Sequence, residues 1–402
     1  MNVEALFRTM KRVLIYYKVF HSWVGGGRFL PLLFIAELQK TCEVTLALDT
    51  MSDVAHGAKL AGIPVDASKL KVVQVMPKNE FLRKIDATLP FYRVRKLKKL
   101  AKKADVCIST VNMIDFGKPA HHFVYIFKTF GDNAFIDYCR HIPPLKGFPG
   151  FKRALRTFFA EKFLRPALGI RSTRKIIMDP REHIYPTSRY VDSVIRGFYG
   201  PFNSTVFYPP TAFEFKLKGV KRNPLQVNYI GRISEEKRIE DIIGIVELAR
   251  NSSGLELELH IAGQMEGTPY GEKLKRLAAE KKWIQFVGQV LDETKERFLL
   301  SGAYAIHAER DETFGISITE YLKAGCIPIV PDEGGTMEIV DSPALTYHTG
   351  EDAAAILTKL LQDEDFHKKQ LAHCEQRARA FTMDAYLEKQ RLTLEKILAE
   401  AD

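Results

Sequence analysis

Cysteine is scarce in this 402-residue chain. Cys42, Cys107, Cys139, Cys326 and Cys374 are odd in number, scattered, and part of no paired motif. That excludes a disulfide framework, argues against structural zinc, and fits a reducing compartment. The expected location is cytoplasmic, peripheral on the inner face of a membrane if the charge pattern below serves docking. Long apolar runs are missing too. The longest, Phe29 to Leu38, is broken by Glu37 and falls far short of the roughly 20 residues that span a bilayer. The start, Met1-Asn-Val-Glu4, has an early acid and no cleavage-site layout, so no secretory leader is expected. Low-complexity segments and short-period repeats are also lacking. What is present is globular: 46% hydrophobic and 27% charged residues, in a chain long enough for two domains with separate cores.

The formal charge of +10 conceals an asymmetry. Residues 1–220 hold 36 Lys and Arg against 17 Asp and Glu, and the rest hold 23 against 32. Two halves of opposite sign meet different partners. The basic residues gather at 93–103 and again at 151–175, where Phe151, Phe158, Phe159 and Phe163 are interleaved with them. This pattern predicts docking on an anionic membrane surface; a solvated helix face is the competing reading. No helix-turn-helix, finger or RNA-binding strand motif accompanies the charge, so nucleic acid is not expected as a partner.

Strand and helix signals alternate along the chain. Strands are expected at Val13–Tyr17, Val44–Leu48, Lys71–Val75, Val106–Ser109, Phe123–Phe127 and Lys175–Met178, with helices such as Phe29–Gln39 and Val94–Lys103 between them. The second half repeats the pattern with Val227–Ile230, Leu257–Ala262, Ile284–Val287, Ala303–His307 and Cys326–Val330. Alternation of this kind predicts an α/β protein with parallel sheets covered on both faces. The divisions expected are a first domain at 1–213, a polar, proline-flanked linker at 214–224, a second domain at 225–381 and a last helix at 382–402.

The segment richest in chemistry is Glu312-Thr-Phe314-Gly315-Ile316-Ser-Ile-Thr-Glu320, followed by Ala324-Gly325 and then Glu333-Gly334-Gly335 and Glu338. A helix starting near Gly315 puts Glu312 on the loop before it and Glu320 about two turns in. Its N-terminus offers free N–H groups and a partial positive charge, which suit a phosphate. Carboxylates beside a phosphate make sense when they hold neutral hydroxyls, as sugars present. A second motif agrees. The strand ending at Ile230 runs into Gly231-Arg232-Ile-Ser234-Glu-Glu-Lys237-Arg238 and then a helix from Ile239 to Arg250, with Ser234 as its expected start signal. Arg232 and Lys237, a planar fork and a point charge, can converge on one diphosphate.

Together these motifs resemble the signature of the family-4 retaining glycosyltransferases of group 1 type, strongly over about 226–340 and less so over the first 150 residues. The resemblance implies the GT-B fold: two Rossmann-like doubly wound domains facing a central cleft, with a C-terminal helix crossing back to the first. It implies that Arg232 and Lys237 grip the donor pyrophosphate, that Glu312 contacts the transferred sugar, and that Glu320 binds the ribose hydroxyls. Catalytic roles are thus expected for Glu312, Arg232 and Lys237. Donor contacts are expected from Gly26, Gly27, Gly231, Gly263, Val290, Phe314, Gly315, Ile316 and Glu320. Candidates facing the acceptor are Trp23, Arg28, Lys128 and Asp132. The first-domain histidines His121 and His122 are expected before their strand rather than at its end. No Asp-x-Asp stands near the cleft, so no metal and no cofactor beyond the nucleotide sugar is expected. The implied activity is transfer of a hexose from GDP-mannose or a UDP-hexose to a lipid-linked or membrane-presented saccharide, with a lean toward mannosyltransferases drawn from Phe314-Gly315-Ile316. A noncatalytic nucleotide-sugar-binding scaffold, an epimerase and a phosphorylase remain as alternatives.

Overall fold

A computed structural model describes residues 10–18, 29–88, 90–125, 159–265 and 268–401. The chain divides into two compact units, one of residues 1–210 with 387–402 and the other of residues 211–386.

The first unit is built on six strands: β1 (Lys11–Tyr17), β2 (Cys42–Leu48), β3 (Leu70–Gln74), β4 (Val106–Ser109), β5 (His121–Val124) and β6 (His183–Pro186). They lie in the order β3-β2-β1-β4-β5-β6 and every pair is parallel. All four residues of β4 and of β6 are buried, because helices cover both faces of such a sheet. The second unit repeats the plan with β7 (Asn223–Ile230), β8 (Glu258–Ala262), β9 (Ile284–Gly288), β10 (Gly302–Ile306), β11 (Ile327–Pro331) and β12 (Thr346–Tyr347). Its order, β12-β11-β10-β7-β8-β9, read from the other edge, is the same winding. In such sheets the order reverses between the first and fourth strands, and ligands bind beyond the strand C-termini at that point. Here that is the end of β7 beside the end of β10.

Several local expectations need correction. Lys175–Met178 is no strand: it falls on the helix Thr173–Ile177, whose Ser172 cap accepts from the Lys175 N–H. The N-cap outweighs the β-propensity of Ile176 and Ile177. The sixth strand is instead His183–Pro186, whose proline sits at the strand's end, where a missing N–H is tolerated. His121 and His122 lie on β5, not before it. Ser234 opens only the 3₁₀ turn Glu235–Lys237 and makes no capping hydrogen bond; the helix Ile239–Ser253 starts after Arg238, which is left-handed at φ 50°. Arg93 is no surface charge. Its guanidinium is buried, donating to Asp49 at 2.9 Å, to the Tyr16 hydroxyl at 3.1 Å and to the Asp86 carbonyl at 3.0 Å. Lys98 likewise is held by Asp115 at 2.7 Å and the Gly169 carbonyl at 2.8 Å. Within 93–103, Arg95, Lys96, Lys99, Lys102 and Lys103 remain as exposed cations.

The helix Met383–Ala399 returns the chain to the first unit. Leu394 and Ile397 are buried there, and Gln390 donates to the Leu33 carbonyl at 3.1 Å. Lys389 donates to the Val206 carbonyl at 3.2 Å. No helix among the described residues is long and apolar enough to cross a membrane. The four described cysteines, Cys42, Cys107, Cys326 and Cys374, are free and buried.

Candidate active site

β7 and β10 carry the site of the second unit on their C-terminal loops. After β7, the Tyr229 hydroxyl donates to the Arg232 carbonyl at 3.0 Å and fixes the turn. The following 3₁₀ turn aims Lys237 back toward the loop after β10. Its ammonium donates to Glu309 at 2.5 Å and Glu312 at 2.6 Å, and all three side chains are largely buried. His307 lies behind them, its Nε2 at 3.9 Å from Glu312.

Burial opposes every charge in this cluster, and the partners decide the outcome. It pushes the Glu312 carboxyl up, yet Lys237 and His307 outweigh it and bring the pKa down to about 2. Burial pulls the Lys237 ammonium down, but Glu312 and Glu309 hold its pKa above the ordinary value. His307 is pushed down to about 4, chiefly by burial, so its imidazole is neutral at pH 7. At pH 7 Glu312 is therefore a carboxylate, Lys237 an ammonium and His307 a neutral ring. The ligand atoms of His307, Glu309 and Glu312 all lie within 4.8 Å of one another, the donor set of a cation site. The cation that Glu309 and Glu312 meet here is Lys237.

The Glu312 loop is locked from below, its carbonyl accepting from the Gly335 N–H at 2.7 Å and its carboxylate from the Thr313 N–H at 3.0 Å. Gly315 then begins the helix Ile316–Lys323 at φ 97°, and a Cβ there would stand 2.6 Å from Thr336 Cγ2. Only glycine fits both demands. No side chain caps this helix, so its first N–H groups are open to a ligand. Phe314 points into the core against Phe381, ring centroids 6.2 Å apart, and offers a ligand only backbone. Ile316 is half-buried.

Glu320 takes a partner of its own, Lys295 at 2.6 Å, whose ammonium also lies 4.5 Å from the Phe213 ring centroid. Arg232 stands apart from the cluster: its side chain is 76% exposed and pairs with Glu236 at 2.7 Å. Gly231 and Gly263 adjoin just past the ends of β7 and β8. The Gly231 N–H donates to the Ala262 carbonyl at 3.0 Å, and a Cβ on Gly263 would meet the Gly231 carbonyl oxygen at 2.1 Å. Val290 is half-buried on the loop after β9. Trp23, Gly26, Gly27, Arg28, Lys128 and Asp132 lie outside the described residues. Sequence reasoning missed His307, Glu309, Lys295 and Tyr229. The first two had a signal: His307-x-Glu309-x-x-Glu312, three polar residues directly after a buried strand.

Residues 211–381 match the family model described as Glycosyl transferases group 1. No curated protein matches the chain. Among solved structures, HepE (Alr3699) of Anabaena, in complex with UDP and glucose, is similar over 96% of this chain and 100% of its own, with a TM-score of 0.65 at 13% identity. The sucrose-phosphate synthase of Thermosynechococcus elongatus covers 97% and 100%, also with a TM-score of 0.65 at 13% identity. WaaG, a glycosyltransferase involved in lipopolysaccharide biosynthesis, covers 94% and 98% with a TM-score of 0.60 at 12% identity. At such identities the likeness carries the fold, that of the GT-B proteins.

Proposed function

We propose, from the premise that residues 211–381 belong to the group 1 glycosyl transferases, that this protein is a retaining hexosyltransferase using a nucleotide-diphosphate sugar. The observation that carries the reading is the Lys237–Glu309–Glu312 cluster at the strand C-termini, in the same segment as the uncapped helix start at Gly315. On arrival of the donor, Lys237 exchanges a carboxylate for the diphosphate, assisted by Arg232 and by the helix N–H groups. Glu312, released from Lys237, turns to the sugar hydroxyls, and Glu320 holds the ribose. The bond from the sugar C1 to the diphosphate oxygen breaks while the acceptor oxygen attacks from the same face, and a leaving phosphate oxygen takes the acceptor proton.

HepE was crystallised with UDP and glucose, which makes UDP-glucose the first donor to try and GDP-mannose the second. A lipid-linked or membrane-presented saccharide is the acceptor class we favour. Supporting it are the exposed apolar side chains of Phe159, Phe163, Leu164, Leu168 and Met178 in a stretch of the first unit that also exposes Lys162, Arg174 and Lys175. Each such cation contributes about 1 kcal/mol against anionic lipid.

The test is a thermal-shift screen against UDP, GDP, ADP and their hexose conjugates, followed by assay of nucleotide release. A donor at 100 times its Kd adds about 2.7 kcal/mol, a shift that Glu320→Ala should abolish. Release that requires a saccharide acceptor supports the transferase. Release without one points to an epimerase or hydrolase, dependence on inorganic phosphate points to a phosphorylase, and binding without turnover points to a scaffold. No response to any nucleotide overturns the reading.

A further inference from the structure

A second cavity, of about 450 Å³, lies wholly within the first unit. Its walls include Val106 at the start of β4, His121 and His183 at the starts of β5 and β6, and Lys396 and Glu400 from the C-terminal end of the chain. It therefore opens at the N-terminal edge of the sheet, the edge opposite to the one where α/β sheets bind substrates. Nothing in the proposed transfer reaction uses it.

Its chemistry favours an anion. Lys118, Arg181 and Lys396 all face it, the Arg181 guanidinium being already paired with Asp179 at 2.9 and 3.0 Å. Lys118 is held by two carbonyls, those of Ala104 at 2.9 Å and Asp105 at 3.1 Å, and among the described residues it meets no carboxylate at hydrogen-bond distance. Lys396 meets Glu400 at 3.8 Å, its one acidic partner among the described residues. Of the acids in the wall, Asp105 is already satisfied by the Arg12 backbone and guanidinium, both at 2.8 Å. The His121 and His183 rings stack with centroids 6.1 Å apart. One nitrogen of each is engaged, His121 Nδ1 with the Tyr185 hydroxyl at 3.4 Å and His183 Nε2 with Thr205 at 2.9 Å. For the other nitrogen of each ring no hydrogen bond is found among the described residues. Burial keeps both rings neutral, so they act as hydrogen-bonding groups rather than charges.

We propose that this cavity binds a small phosphorylated metabolite, its phosphate held by Lys118 and Lys396 and its hydroxyls by His121 and His183. The volume lies in the range of small-molecule sites and exceeds what inorganic phosphate alone fills. Charge-assisted hydrogen bonds to a phosphate are the strong kind. A ligand there also joins the last turn of the C-terminal helix to the edges of β5 and β6.

Titration calorimetry with glucose 6-phosphate, inorganic phosphate and, at matched ionic strength, sodium chloride tests this. Glucose 6-phosphate should bind saturably, and Lys396→Ala and Lys118→Ala should each weaken it about tenfold or more, while the thermal response to the nucleotide donor stays unchanged in both. Phosphate binding as tightly as the sugar phosphate would keep the anion site and overturn the metabolite as its occupant. No saturable heat with either, or binding unaffected by both substitutions, overturns the site itself.

Discussion

Replacing Lys237 with alanine tests the electrostatic logic of the candidate site apart from any substrate. In the intact protein its ammonium stands between Glu309 and Glu312, whose ligand atoms lie within 4.8 Å of each other. Without it, two carboxylates at that separation repel by about 3.5 kcal/mol at an effective dielectric constant of about 20. Breaking a buried pair typically costs about 3–5 kcal/mol, of the same order. Lys237→Ala should therefore lower the urea midpoint clearly at pH 7, and part of that loss should return on acidification to pH 5, as one of the two carboxylates takes up a proton. Adding Glu309→Gln should restore stability at pH 7 by removing the repulsion. It should not restore turnover, which should stay about two orders of magnitude or more below normal, the loss expected of a missing transition-state contact. Circular dichroism during urea titration at the two pH values, with nucleotide release as the activity readout, decides it. A Lys237→Ala protein as stable as the parent at pH 7, or one that Glu309→Gln leaves unimproved, refutes the reasoning.

Acid should destabilise the protein in a definite window. Burial holds the folded-state pKa of His307 at about 4, against 6.5 for the free ring. The unfolded chain thus takes up a proton from about pH 6.5 downward while the folded chain does not, and a shift of this size represents about 3 kcal/mol, present above 6.5 and lost as pH falls through 4. His307→Gln should flatten the fall of the urea midpoint between pH 7 and pH 4, and an unchanged slope would count against it. Arg171 donates to Asp115 at 2.9 Å and reaches Glu182 at 2.7 Å, both fully buried. Arg171→Met removes the guanidinium shared by both, leaving Asp115 to Lys98 and Glu182 to the Ala120 N–H and His122, and should cost up to about 3 kcal/mol, as measured by denaturant unfolding; a loss below about 1 kcal/mol, the value of an exposed pair, would show that Arg171 is not what holds these acids. Lys295→Met frees Glu320 and should raise the KM for donor about tenfold with little change in kcat, whereas a fall in kcat alone would move Lys295 from positioning Glu320 to the chemistry.

The inner strands of the sheets were legible because buried parallel strands write themselves as unbroken apolar runs. Ala303–His307 and Cys326–Val330 each came within one residue at either end of the observed strand. Of the four edge strands, β3 and β9 were read to within a residue, and β6 and β12 were missed. β6 carries a histidine and a proline in four residues, and β12 is only two residues long. For the site, Lys237 and Glu312 were visible through their motifs, and the structure puts them in contact. What a motif cannot convey is which counter-ion a side chain takes. Glu320 could not be assigned to Lys295, 25 residues upstream on another helix, nor Arg93 to Asp49, 44 residues upstream, because such pairings exist only once the sheet has stacked its helices. Composition misled in the same way, counting Arg93 and Lys98 as surface charge when both serve the interior.

The first unit is written in two pieces, with 176 residues of the second unit between them. A ribosome therefore releases the whole second unit before it has made the helix that buries Leu394 and Ile397 and satisfies the Leu33 carbonyl through Gln390. Chains synthesised in one direction fold domain by domain, yet here the domain begun first is completed last. Until residue 387 and beyond emerge, the nascent first unit exposes the apolar seat of that helix. Among the contacts of the finished protein, those between the two ends of the chain close the longest loops, so their formation belongs to the slow, late part of folding.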